Sequence, residues 1–226
     1  MKEKLSEKGR NPYDGLRVFS ALTHGVGIVF ALLALNVLRD MTISMGAASV
    51  TVTSVSIYAI SMLCLYTAST VYHSLYTSIK GRLFLRKLDH VMIYFLIAGT
   101  YTPVCTISLE GMLSGKVMLA VIWAMAILGA VFTLFWINMP RVLTAVIYLV
   151  MGWTAIFALS PLHRALSPEC FGLLLLGGVL YSIGGVLYAL KWPGRNNKYF
   201  GCHEVFHVFI ILGSISHFLM IYQIVR

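Results

Sequence analysis

A chain of 226 residues that is 59% hydrophobic and only 11% charged, with a mean hydropathy of +0.85, cannot present an ordinary soluble surface. Soluble domains carry roughly a quarter charged residues, so this composition excludes a water-soluble globule and implies a polytopic helical membrane protein. The formal charge of +9 does not point to nucleic acid, because the basic residues sit in short gaps between apolar runs, as they do in cytoplasmic loops.

Residues 1–17 form a basic, polar segment. The apolar run behind it is too long for a signal peptide and lacks a small-residue cleavage site, so the segment is expected to be retained. Seven runs of membrane-spanning length follow, at approximately 18–38, 54–78, 90–108, 117–137, 142–160, 170–190 and 203–225. About 20 residues cross the hydrocarbon at 1.5 Å per residue. No charge falls between Asp40 and Lys80, but that interval is too short for two spans and a turn. A Ser/Thr-rich connection over 41–53 is therefore expected before the second span. The fold class is all-α: one domain of seven transmembrane helices over 18–226, preceded by the segment 1–17.

Charge sets the expected orientation. Lys2, Lys4, Lys8, Arg10, Arg17, Lys80, Arg82, Arg86, Lys87, Arg141, Lys191, Arg195 and Lys198 fall on the N-terminal side of this topology. Only Arg39, Lys116, Arg164 and Arg226 fall on the other. Thirteen against four places the N-terminus in the cytoplasm and the C-terminus outside by the positive-inside rule. Gly177, Gly178, Gly184 and Gly185 in the sixth run suggest a close-packing seam. The cysteines Cys64, Cys105, Cys170 and Cys202 are scattered without a CxxC, which indicates neither a disulfide framework nor a thiolate metal site.

Ionisable groups near hydrocarbon are costly and read first as functional. His73 lies near the cytoplasmic end of the second run and Asp89 is expected to open the third. His203 and His207 occupy the first turns of the seventh, so the topology carries all four to one layer. Residues four apart share a helix face, which suits His203 and His207 as two ligands of one metal. His73 would add a third nitrogen, and three protein ligands with an open position are the catalytic zinc pattern. Asp89 could then hydrogen-bond the activated water and act as base, or cap a helix start. Ser69, one turn before His73, could position a substrate carbonyl or water.

His24, His90 and His217 read as packing residues, with His217 about 15 Å deeper than His207 and His90 turned about 100° from Asp89. His203-Glu204-Val205-Phe206-His207 also matches HExxH, in which the acid serves as general base. That leaves an intramembrane metalloprotease as an alternative, unless Glu204 is simply solvated at the interface.

Ser69-x3-His73, the stretch from Leu88-Asp89-His90 to Ala98-Gly99-Thr100-Tyr101-Thr102-Pro103, and Gly201-x-His203-x3-His207 together resemble the hemolysin III proteins of bacteria, within the progestin and adipoQ receptor family. The resemblance covers nearly the whole chain. It implies seven spans with the N-terminus inside, a bacterial plasma-membrane location, and zinc on His73, His203 and His207. It also implies Asp89 on the activated water, Ser69 nearby, and a ceramidase-like hydrolase of lipid amides or esters engaged in membrane homeostasis. The expected partners are membrane lipids; the sequence names no protein partner. A membrane-state sensor with structural zinc and a pore-forming hemolysin are the other readings, the last without any visible amphipathic insertion segment. The first run departs from the family, whose Glu-x2-Asn-x3-His pattern appears here as Arg17-x2-Ser20-x3-His24.

Overall fold

The computed structural model describes residues 12–194, 197 and 199–226. Most of the basic N-terminal segment, together with Arg195 and Lys198, therefore lies outside the described residues. Among those described, seven helices are long and apolar enough to cross a membrane. They are α1 (Val18–Ser44), α2 (Ser49–Ser74), α3 (Ile79–Ser108), α4 (Leu113–Phe135), α5 (Arg141–Ala165), α6 (Pro168–Leu190) and α7 (Cys202–Val225). The all-α, seven-span class read from the sequence holds.

Two boundaries differ from expectation, for identifiable reasons. The Ser/Thr-rich stretch 41–53 is not a long connection, since only 45–48 separate α1 from α2. Thr42, Ser44, Ser54 and Ser56 turn their hydroxyls back onto carbonyls three or four residues earlier, at 2.6–3.0 Å. Their polarity is thus satisfied inside helices. Gly46 takes φ +66° and ends α1, with Ala47 N–H bonded to Thr42 O at 3.0 Å; a left-handed glycine is the usual helix stop.

The third helix starts at Ile79 rather than near residue 90, with Ser78 as its cap accepting from Gly81 N at 3.2 Å. The basic residues expected to form a loop over 80–87 are its first turns. They stay there because neighbouring helix ends offer carbonyls. Arg82 reaches Tyr72 O and Leu75 O, Arg86 reaches Ile137 O, and Lys87 reaches Leu134 O. Cations at helix C-termini are favourable.

Breaks in the other helices are similarly satisfied. After Gly152 the fifth span passes through a 3-10 stretch, Trp153–Ala158. There Tyr101 OH donates to Gly152 O at 2.6 Å and accepts from Ala155 N at 2.8 Å. This settles the backbone groups that the change of helix type frees within the membrane.

The glycine seam of α6 divides between two neighbours. A Cβ on Gly177 would lie 2.2 Å from His217 Nε2, and one on Gly184 would lie 2.7 Å from Phe209 Cβ, so this pair faces α7. Gly178 and Gly185 face Trp153 and Leu149 of α5 at ordinary contact distances. All four cysteines are free. The helices α1 to α4 pack in sequence, while α7 packs on α6, α1 and α2. That closure brings the start of α7 against the start of α1 and the end of α2.

Candidate metal centre

His73, in the last turn of α2, meets His203 and His207, in the first turns of α7. One ligand nitrogen from each lies within 4.8 Å of the others. His73 Nε2 and His203 Nε2 are 3.0 Å apart. His73 and His207 are buried and His203 is partly so. The expectation that topology unites these three imidazoles is met in the structure.

The outer nitrogens of His73 and His207 are fixed by the turn that precedes α1 and by the first turn of α1. His73 Nδ1 lies 2.6 Å from Gly15 O, and His207 Nδ1 lies 3.2 Å from Ser20 O. A carbonyl only accepts, so both Nδ1 atoms carry the proton and both Nε2 lone pairs turn inward. Thr23 Oγ1 lies a further 3.1 Å from His207 Nδ1. An N–H of a ligating histidine held by a backbone carbonyl is the usual outer arrangement of a metal site. Two facing Nε2 atoms at 3.0 Å share either a proton or a cation. With Nδ1 of His73 and His207 held by carbonyls and Nε2 of His203 facing Nε2 of His73, the three donors fit a divalent metal by their chemistry.

Asp89 is buried in the third turn of α3, not at its start, so the helix-cap alternative falls away. Its Oδ2 lies 3.6 Å from His90 Nδ1; these neighbours lean together despite their angular separation on the helix. Ser69 is buried, with the Asp89 carboxylate as an interacting neighbour, and its Oγ makes no hydrogen bond of good geometry. Ser69, Asp89, His203 and His207 line one cavity of about 130 Å³. The cavity is otherwise mostly apolar and runs between α3, α5, α6 and α7 to Tyr101 and His217. His73 stands outside it, beside the α1–α2 groove.

Of the remaining histidines, His217 bonds Leu174 O at 3.2 Å, a packing role as expected. His24 packs too, but without the hydrogen bond expected of a packing histidine. Its ring stacks on His207 at 3.5 Å and 7°, and neither nitrogen has a partner.

Glu204 is not solvated at an interface. It is fully buried, and four donors fill its carboxylate: Arg17 Nε at 2.7 Å, Arg17 Nη2 at 2.8 Å, Gly201 N at 2.8 Å and Ser20 Oγ. Position 17 is basic here and its acidic partner comes from α7. Sequence reasoning missed the Gly15 and Ser20 carbonyls, which no side-chain pattern announces. It also missed the Arg17–Glu204 pair, which two opposite charges at span starts could have signalled.

Residues 17–218 match the model of the family described as haemolysin-III related. The chain belongs to the haemolysin-III-related family. It is 39% identical over 201 residues to the hemolysin-3 homolog of Bacillus subtilis (strain 168), covering 89% of this chain and 90% of that protein. It is 38% identical over 201 residues to hemolysin-3 of Bacillus cereus, covering 89% and 88%. More distantly, it is 29% identical over 156 residues to the adiponectin receptor protein of Drosophila melanogaster, covering 61% of this chain and 34% of the receptor. Membership of this haemolysin-III-related family and seven apolar helices make the chain a multi-pass membrane protein, in line with the plasma-membrane location expected from its sequence.

Proposed function

We propose that this member of the haemolysin-III-related family is a zinc-dependent hydrolase of a lipid amide or ester, with the metal held by His73, His203 and His207. The observation that carries the reading is the three-histidine cluster, two members of which, His203 and His207, also line the mostly apolar cavity that holds Asp89 and Ser69. A zinc ion held by three imidazoles supplies Lewis-acid activation of water near neutral pH. The chain's own residues supply the rest. The apolar cavity takes the part of an acyl chain next to the scissile bond and excludes bulk water from that bond. Ser69 donates a hydrogen bond to the carbonyl oxygen. Asp89 accepts the proton of the attacking water and passes it to the leaving nitrogen or oxygen as the acyl bond breaks. A carboxylic acid and an amine or alcohol result.

The thirteen-to-four distribution of basic residues puts this site on the cytoplasmic side, with 1–17 as a cytoplasmic tail of the single membrane domain. Membrane lipids are its partners, and nucleic acid is not. The protease reading loses its base, because the Glu204 carboxylate is occupied by Arg17, Ser20 and Gly201. The test is release of fatty acid from a panel of ceramides and phospholipids by purified protein. Bound zinc without turnover on any of them would favour a sensor with structural zinc.

A further inference from the structure

We propose that Glu204, paired with Arg17, is a positioning residue of the metal centre: it holds the segment from Gly15 to Ser20, which leads into α1, against α7, and that segment orients the imidazoles of His73 and His207. The inference deepens the metal reading above and rests on it for its metal arm. Arg17 is the junction. Its guanidinium is bidentate to Glu204 at 2.7 and 2.8 Å, and its backbone N–H bonds His73 O at 3.0 Å. Two residues before it, Gly15 O receives His73 Nδ1–H; three residues after it, Ser20 O receives His207 Nδ1–H. Ser20 also gives its hydroxyl to Glu204. One carboxylate thus holds Arg17 and Ser20 within the short segment that fixes two imidazoles from different helices. The same carboxylate accepts Gly201 N–H and caps the helix that carries His203 and His207. A planar guanidinium fork is geometrically exacting, so loss of either charge frees the segment and lets both rings change tautomer and angle.

Outer-shell partners of metal-bound histidines typically tune affinity 10–100-fold. The experiment compares wild type with Glu204→Gln, Arg17→Gln, the milder Arg17→Lys, and Glu169→Gln as a control in the first turn of α6. Cobalt(II) affinity is measured on folded protein by competition with a chelator, alongside the cobalt absorption spectrum. Imidazole tautomers are read by nitrogen NMR on metal-free, histidine-labelled protein. Glu204→Gln and Arg17→Gln are expected to bind cobalt about 10-fold or more weakly with an altered spectrum, and to lose the single Nδ1–H tautomer at His73 and His207. Arg17→Lys should fall between, and Glu169→Gln should match wild type. A purely structural role would lower the melting temperature yet leave the spectrum, affinity and tautomers of the folded variants unchanged, and that result overturns the proposal. Wild-type protein that binds no cobalt would count against the metal reading, while the metal-free tautomers would still decide whether Glu204 orients the rings.

Discussion

His73 Nε2 and His203 Nε2 meet at 3.0 Å although 130 positions separate them in the chain. The contact exists because α7 closes the bundle onto the end of α2, while the turn that precedes α1 holds the far side of the His73 ring through Gly15 O. Neutral rings in this arrangement present lone pairs to one another, an unfavourable pairing that a shared proton or cation relieves. The geometry is therefore a statement about ligand chemistry as well as about packing.

The α6–α7 contact yields a stability prediction. Gly177 approaches His217 so closely that a methyl group cannot be added without moving the ring, whereas Gly178 has open contact distances to Trp153. Gly177→Ala should lower stability by about 1–3 kcal/mol, the usual range for overpacking, and Gly178→Ala should be near neutral. Thermal unfolding in detergent checks both. Equal effects would mean that the seam does not divide between α7 and α5.

Orientation gives a second prediction. A reporter fused after Arg226 should be active only in its extracytoplasmic form, and one inserted after Tyr76, in the connection between α2 and α3, only in its cytoplasmic form. The basis is the excess of Lys and Arg at one end of the bundle. A cytoplasmic C-terminus would reverse the orientation of the site.

The seven spans were legible because length and apolarity alone define a membrane helix. The three-histidine layer was legible because the four crossings between the end of α2 and the start of α7 return the chain to the same side. The boundaries were less so. Arg82, Arg86 and Lys87 read as a loop until their carbonyl partners on α2 and α4 are known, and for that reason Asp89 looked like a helix start. Thr42 and Ser44 read as a connection because back-bonding hydroxyls resemble loop residues in sequence. Glu204 illustrates the limit most clearly. Its place between two histidines matches a general base, but which face a helix turns is decided by partners such as Arg17 and Ser20, 187 and 184 residues away.

Asp89 and Glu204 make a paired prediction for turnover. Asp89→Asn should retain metal and abolish lipid hydrolysis, because an amide cannot accept the proton. Glu204→Ala should destabilise the fold by about 1.5–3 kcal/mol, the range for lost hydrogen bonds to a charged group, since the Arg17 left behind is partly exposed, and should not convert a peptide-cleaving protein into an inactive one. The checks are fatty-acid release from ceramides and phospholipids, a peptide-cleavage control, and thermal unfolding. Wild-type peptide cleavage that Glu204→Gln abolishes would restore the protease reading.

The most direct test of the central claim is metal analysis of purified protein. Wild type should hold about one zinc per chain, as a three-histidine site does. His73→Ala, His203→Ala and His207→Ala should each lose most of it, while His217→Ala, whose ring bonds Leu174 O far from the cluster, should keep it. Equal zinc in all five proteins would show that the three imidazoles are packing residues and contradict the account.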